Sequence, residues 1–119
     1  MSAPVQGKEE WFDLVPRKLV THEDSPEDDR AILLIPRFRR GLLAKYIQPR
    51  LKKPYHKVRL DEVGTFVWRQ IDGVSTVDNI SIAMKHHFGE KVEPVVDRLV
   101  QFLSTMFRHK FIELLKKQQ

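Results

Sequence analysis

Two helices that meet across a very short turn constrain the fold of this chain more than any other feature. Asp61 is placed to cap the first helix, and Gly73 ends it as the residue best able to adopt a left-handed conformation. Ser75 or Thr76 then caps a second helix, which Gly89 ends. The pattern predicts a tight helix-turn-helix scaffold, and it contains no catalytic motif. The apolar residues that recur at helical spacing are Val63, Val67 and Ile71 in the first helix and Val77, Ile80, Met84 and Phe88 in the second.

The length and composition of the chain are typical of one compact domain. At 119 residues, with 41% hydrophobic residues, the chain can bury a modest core. We expect a flexible N-terminus over residues 1–10 and a single domain over residues 11–119. Cysteine is absent, which excludes disulfides and thiolate-bound metals. The first residues are polar, and no apolar stretch reaches the length of a membrane helix, so we expect a cytoplasmic protein.

The net charge of +5 is distributed unevenly along the chain. Nine cationic residues and no acidic residue lie between Arg37 and Arg59, whereas five carboxylates lie between Glu23 and Asp29. This segregation favours a local anionic partner over uniform coating of a nucleic-acid backbone. The basic segment, residues 37–59, is equally consistent with a solvated surface.

Short apolar runs predict a three-stranded sheet that precedes the helices. Residues 19–22 and 31–35 flank an acidic turn, which predicts a β-hairpin within residues 11–38. The second of these strands is apolar on both faces and is therefore predicted to be central. Alternation over residues 55–60 predicts a third strand. Between the second and third strands, residues 39–54 form a basic insertion.

The last predicted helix has a wide apolar face. Pro94 suits the first helical position, where a missing N–H costs nothing. Phe102 lies off the main apolar stripe, so the face fits either a core alone or a core on one side and a groove on the other. The tail at residues 111–115 fits either a short strand or the end of the helix. The main stripe consists of Val95, Val96, Leu99, Val100, Leu103, Met106 and Phe107.

Three predicted strands followed by three predicted helices indicate an α+β fold. The tight turn between the first two helices makes the layout winged-helix-like, with a three-stranded antiparallel sheet followed by a three-helix bundle. His86 and His87 are adjacent, and neighbouring helical residues point about 100° apart, so they do not form a two-ligand metal face. We therefore predict no enzymatic activity, no cofactor and no metal.

Several short motifs resemble one known family when they are taken in order. The string LDEVGTFVWRQIDG at residues 60–73, followed by STVDNI at residues 75–80, resembles the PqqD-like family, whose helices meet at Asp-Gly before a Thr-Val and an Ile. Residues 33–36 are similar to that family's second strand, and residues 95–111 are similar to its last helix. The resemblance covers roughly residues 15–115. The fold that it implies is a small winged-helix-like domain.

The resemblance implies a non-catalytic function, that of a recognition element for ribosomally made, post-translationally modified peptides (a RiPP recognition element). PqqD-like proteins hold the leader of a precursor peptide and present it to a modifying enzyme, often a radical S-adenosylmethionine (radical SAM) enzyme. The leader adds as a strand to the third strand and packs into the groove beside the third helix. In such strand addition, main-chain hydrogen bonds supply affinity and side-chain pockets supply selectivity.

The peptide-binding residues follow from the same resemblance. Lys57 and Arg59 would attract acidic leader residues, whereas the apolar positions would receive hydrophobic ones. The alternative is that these charges only protect an edge strand from aggregation and that Val58 and Leu99 belong to the core. The insertion at residues 39–54 is longer than the link expected in this family. The implied docking edge is His56, Lys57, Val58 and Arg59, and the facing helix offers Val95, Arg98, Leu99 and Phe102.

Two other functions remain open from the sequence. A winged-helix DNA-binding regulator would present base-reading side chains from its second helix, and the second predicted helix contains Asn79, Lys85, His86 and His87. An RNA or anionic-surface binder would instead use the basic segment at residues 37–59, with its interleaved apolar residues.

Overall fold

The computed structural model describes residues 8–36 and 55–117. Residues 1–7 and the predicted insertion at residues 39–54 lie outside this part, as does most of the basic segment. The described residues fall into two compact units. One, here called the sheet unit, is Val20–Glu62, and the other, here called the helical unit, combines the residues up to Leu19 with those from Val63 onward. The elements are α1 Lys8–Trp11, β1 Leu14–Lys18, β2 Thr21–Asp24, β3 Ala31–Pro36, β4 Tyr55–Arg59, α2 Glu62–Gln70, α3 Val77–Phe88, a 3-10 helix Gly89–Val92, α4 Val95–Arg108 and β5 Ile112–Lys116.

The sheet unit is a three-stranded antiparallel sheet in the order β2-β3-β4. The predicted hairpin and the central position of its second strand are confirmed, and Ala31 and Leu33 of β3 are fully buried. The first strand of the hairpin begins later than predicted, at Thr21. Leu19 is 46% exposed, and its N–H donates to the Phe111 carbonyl at 2.9 Å in the helical unit. Leu19 therefore lies just beyond the end of β1 and not in the predicted hairpin strand.

A second, two-stranded antiparallel sheet joins β1 to β5. The strand β1 was not predicted, and β5 decides the open question of residues 111–115 in favour of a strand. Because β5 follows the helices and pairs back to β1, the predicted order of a sheet followed by a helical bundle describes only part of the α+β fold. The winged-helix likeness stays a prediction.

The junction between α2 and α3 agrees closely with the sequence. Gly73 has φ of +79° and Gly89 has φ of +65°, so both glycines adopt the positive φ that favours this residue at helix ends. Of the two candidate N-caps, Thr76 is the one used, because its side chain accepts a hydrogen bond from the Asn79 N–H at 3.1 Å. Ser75 instead donates to the Asp72 carboxylate at 3.1 Å.

The helical unit has an apolar core to which its four α-helices, its 3-10 helix and its short sheet all contribute. Trp68 is fully buried, and Trp11 is nearly so. Among the described residues, no helix is long and apolar enough to cross a membrane. The core residues are Trp11, Leu14, Val15, Val67, Trp68, Ile71, Val77, Ile80, Met84, Val92, Val95, Leu99, Leu103, Met106 and Ile112.

The helix α4 begins one residue later than predicted and ends in a defined turn. Pro94 is the N-cap residue rather than the first helical residue, since its ψ of 119° is extended. At the other end, the N–H of Phe111 donates to the Met106 carbonyl and the N–H of Lys110 donates to the Phe107 carbonyl. These two bonds form a Schellman motif, in which Lys110 occupies the left-handed position with φ of 64°. The motif turns the chain from α4 into β5.

Candidate functional site

In β4, the backbone N–H and carbonyl groups of the odd-numbered residues point away from β3, toward the outer edge of the sheet. The Leu60 N–H donates to the Ala31 carbonyl at 2.9 Å, and Ala31 lies opposite Leu60 in the extended register of β3 and β4. Because hydrogen-bonded pairs alternate in an antiparallel ladder, Val58 and His56 also bond to β3, and the N–H groups of Lys57 and Arg59 point away from it. No strand in the described part of the chain pairs with this outer edge. The edge is therefore suited to accept another strand.

The side chains of β4 divide between the two faces of the sheet. Val58 is half-buried and lies opposite Leu33, whereas Lys57 lies opposite the half-buried Leu34 on the other face. Lys57 Nζ is 2.8 Å from Glu23 Oε1 on β2, so the lysine extends back across β3. The two side chains are 63% and 43% exposed, so this is a surface ion pair. The cation that was predicted to attract acidic leader residues already has an acidic partner.

Arg59 also has partners within the hairpin. Its guanidinium forms an ion pair with Asp28 and donates to Ser25 Oγ at 3.5 Å. The Arg30 N–H, which donates to Asp28 Oδ1 at 3.0 Å, lowers the pKa of Asp28 most, and Ser25 and Arg59 lower it further. Sequence reasoning noted the acidic cluster but missed these contacts, because only the register of three strands reveals that Glu23 and Asp28 lie within reach of β4.

The four predicted residues on α4 differ in accessibility. Val95 is 2% exposed and Leu99 is fully buried, so both belong to the apolar core. Phe102 is half-buried and Arg98 is exposed. The Arg98 side chain donates from Nε to the Glu93 carbonyl at 3.4 Å. The eight predicted residues lie on two elements, four on β4 and four on α4.

Asp72 organises the turn between α2 and α3. Its Oδ1 accepts hydrogen bonds from the Ser75 N–H at 2.7 Å and the Val74 N–H at 2.9 Å. These bonds, with that of Ser75 first, hold the pKa of Asp72 below its usual value. Lys18 interacts electrostatically with Asp72: burial lowers the pKa of Lys18, and the charge of Asp72 opposes that shift. The Nζ of Lys18 lies 5.1 Å from the centroid of the Trp68 ring. Asp72 therefore has a structural role in the turn between α2 and α3.

A surface pocket of about 660 Å³ lies in the helical unit and contains none of the eight predicted residues. It includes the start of α3, where the Asp78 N–H already donates to the Phe12 carbonyl and the Asn79 N–H to Thr76. Over residues 8–36 and 55–117, no group of acidic or histidine side chains is arranged to hold a metal ion. The pocket is lined by Asp13, Val15, Gly73, Val74, Thr76, Asp78, Asn79, Leu115, Lys116 and Lys117.

Comparison with known proteins identifies one family. Neither the curated proteins nor the solved structures give a match. The family model for coenzyme PQQ synthesis protein D (PqqD) matches residues 53–112, which is half of the chain. This match is narrower than the resemblance over residues 15–115, but it contains β4, α2, α3 and α4, with all eight predicted residues. The chain therefore belongs to the coenzyme PQQ synthesis protein D (PqqD) family.

Proposed function

We propose that this PqqD-family chain is a non-catalytic peptide-binding protein. It holds the leader of a ribosomally made precursor peptide as an added strand on the outer edge of β4. It then presents that peptide to a separate modifying enzyme of the radical SAM type. The family match supports the setting in PQQ synthesis. The observation that carries the binding mode is the outer edge of β4, with which no strand among residues 8–36 and 55–117 pairs.

The main chain supplies the recognition in this proposal. Lys57 and Arg59 direct their N–H and carbonyl groups outward, so an extended peptide can form a regular ladder there. Such bonds require an extended peptide but no particular side chains, and selectivity then comes from neighbouring side chains. The α4 contacts that the family resemblance implies stay a prediction, and Arg98 and Phe102 are their accessible members.

The charge of β4 favours a foreign strand over a second copy of the same chain. In a centred antiparallel pairing of two β4 strands, Lys57 would lie directly opposite Lys57 of the second copy. Like charges in directly opposed positions destabilise a sheet. The like charges therefore oppose self-association in that register, and no other strand of the described part of the chain occupies the main-chain groups of this edge.

The test is a titration of the isotope-labelled protein with the leader portion of a short peptide encoded beside its gene. We expect saturable NMR shifts at the amides of β4. The amides of Arg98 and Phe102 are monitored separately, because their contacts with the peptide are a separate prediction. Lys57→Pro removes the outward N–H without removing a bond to β3, so it should abolish binding, whereas Lys57→Gln should retain it. Lys116→Pro is the matched control, because it places the same substitution on the other sheet. Retained binding by a folded Lys57→Pro variant would contradict the proposal.

A further inference from the structure

The short sheet of the helical unit has two outer edges that differ in what they can accept. The edge of β1 faces the start of α3, where the Asp78 N–H donates to the Phe12 carbonyl at 3.2 Å. Pro16 directs its nitrogen to the same edge and has no N–H to offer an added strand. The edge of β5 pairs with no strand among residues 8–36 and 55–117. It is therefore the edge of this sheet that can accept another strand.

The alternation of β5 identifies the main-chain groups on that edge. The Lys117 N–H donates to the Asp13 carbonyl at 3.2 Å, so the odd-numbered residues of β5 bond inward, to β1. Leu114 and Lys116 then direct their N–H and carbonyl groups outward. Leu115 lies between them, and its side chain is 38% exposed. An added strand would therefore find both main-chain partners and an apolar side chain at this edge.

The odd-numbered side chains of β5 lie on one face of the short sheet, beside odd-numbered side chains from β1. Arg17 and Glu113 lie opposite each other on this face and form an ion pair through Glu113 Oε1. An apolar pair therefore lies between two pairs of opposite charge. The pairs are, in order along the sheet, Arg17 with Glu113, Val15 with Leu115, and Asp13 with Lys117.

The pattern of this face makes β5 complementary to itself. When two β5 strands pair antiparallel with Leu115 opposite Leu115 of the second copy, Glu113 lies opposite Lys117 of the second copy. Glu113 then lies between two cations, because Arg17 of its own chain engages it from the other side. The twofold symmetry repeats this arrangement on the far side of Leu115. Apolar pairs and pairs of opposite charge in directly opposed positions both stabilise a sheet.

Main-chain bonding and charge select the same register. In the pairing centred on Leu115, the outward groups of Leu114 face those of Lys116 of the second copy, as in the hydrogen-bonded pairs of an antiparallel ladder. A pairing centred on Glu113 would place like charges directly opposite each other. A pairing centred on Leu114 would place Glu113 opposite Leu115 and give its carboxylate no second cation.

We propose that two copies of this chain associate through β5 and form a four-stranded antiparallel sheet in the order β1-β5-β5-β1. The second copy is favoured at β5 by the same rule that disfavours it at β4, where Lys57 would oppose itself. The pairing uses no residue of β4, so it goes beyond the proposed peptide binding and does not depend on it. A contact between two five-residue strands is smaller than the roughly 1,200 Å² of stable interfaces, so the dimer is weak and forms reversibly.

Sedimentation equilibrium of the full-length protein at concentrations up to about 1 mM measures this association. Lys117→Glu places carboxylates opposite each other twice in the dimer and should weaken dimerisation by about tenfold. Lys91→Glu is the matched control, because it changes the net charge equally at an exposed position outside β5, and it should leave the dimer intact. Lys116→Pro removes an outward N–H and should abolish dimerisation.

Isotope-filtered NMR on a mixture of labelled and unlabelled protein locates the interface. We expect intermolecular NOEs between the Leu115 methyl groups of the two copies. A protein that stays monomeric at about 1 mM would overturn the proposal, and so would a dimer whose NOEs lie elsewhere, β4 included. Equal effects of Lys117→Glu and Lys91→Glu would also overturn it, because net charge rather than strand pairing would then control the association.

Discussion

The main-chain groups and the side chain of Lys57 point in opposite directions, and the same is true of Arg59. Their main-chain groups point to the outer edge of β4, whereas their side chains reach back to Glu23 and Asp28. A functional assignment that considers only side-chain charge would treat these residues as an acidic-peptide site. In the proposed function, the alternation of the strand instead makes their outward-facing backbone the element that would bind the peptide. Position in the ladder is therefore more informative about these two residues than residue type.

Asp72 gives the first prediction at the scale of single residues. Because its pKa is depressed in the folded state, the ionised carboxylate stabilises the fold above the unfolded pKa of about 4, and this contribution is lost as pH falls through the lower folded pKa. Asp72→Asn should therefore be less stable than the wild type near neutral pH, by about 1 kcal/mol or less for so exposed a group. Urea unfolding between about pH 7 and about pH 2 measures this. The two proteins should converge at the acidic end, and a difference independent of pH would contradict the assignment.

The ends of the helices show how elements are defined by a few residues. Thr76 and Gly89 fix the limits of α3 through a cap and a positive φ, and both were visible in the sequence. The end of α4 was less clear, because its Schellman motif has Lys110 where glycine is usual. Without a glycine signal, the sequence could not separate the end of α4 from the strand that follows.

Lys110 gives a prediction at the scale of elements. A left-handed conformation costs about 1–2 kcal/mol in a residue with a β-carbon, and glycine adds about 0.5–1 kcal/mol of unfolded-state entropy. Lys110→Gly should therefore stabilise the protein by about 0.5–1 kcal/mol. His109→Gly, at the neighbouring position with φ of −84°, is the control and should destabilise it. Thermal or urea unfolding measures both, and destabilisation by Lys110→Gly would refute the Schellman interpretation.

At the scale of the whole molecule, the three-stranded sheet was predictable, whereas the pairing of β1 with β5 was not. The alternation over residues 55–60 and the apolar run at residues 31–35 correctly predicted two strands of one sheet. The pairing of β1 with β5 joins opposite ends of the chain, and no local pattern encodes it. Pro16 interrupts the β1 pattern, although it occupies an outward position where no ladder bond is lost. The proposed peptide-binding residues followed from family resemblance, whereas the partners of Lys57 and Arg59, which are Glu23 and Asp28, could be identified only from the register.

The β1–β5 pairing gives a prediction at this scale. Lys117 N–H donates to the Asp13 carbonyl, so alternation places the Leu115 N–H inward, toward β1, and the Lys116 N–H outward. Leu115→Pro should lower the free energy of unfolding by more than about 1 kcal/mol, because it removes a ladder bond. Lys116→Pro should change it by no more than about 0.5 kcal/mol. Equal effects of the two substitutions in urea unfolding would contradict the register.

Amide hydrogen exchange along β4 tests the central claim of strand addition most directly. In the free protein, His56 and Val58 should exchange slowly because they bond to β3, while Lys57 and Arg59 should exchange rapidly. When the leader peptide saturates the protein, exchange at Lys57 and Arg59 should slow, and the outward amide of Lys116 should be unaffected. Bound peptide that leaves Lys57 and Arg59 exchanging at their free rates would contradict strand addition on β4.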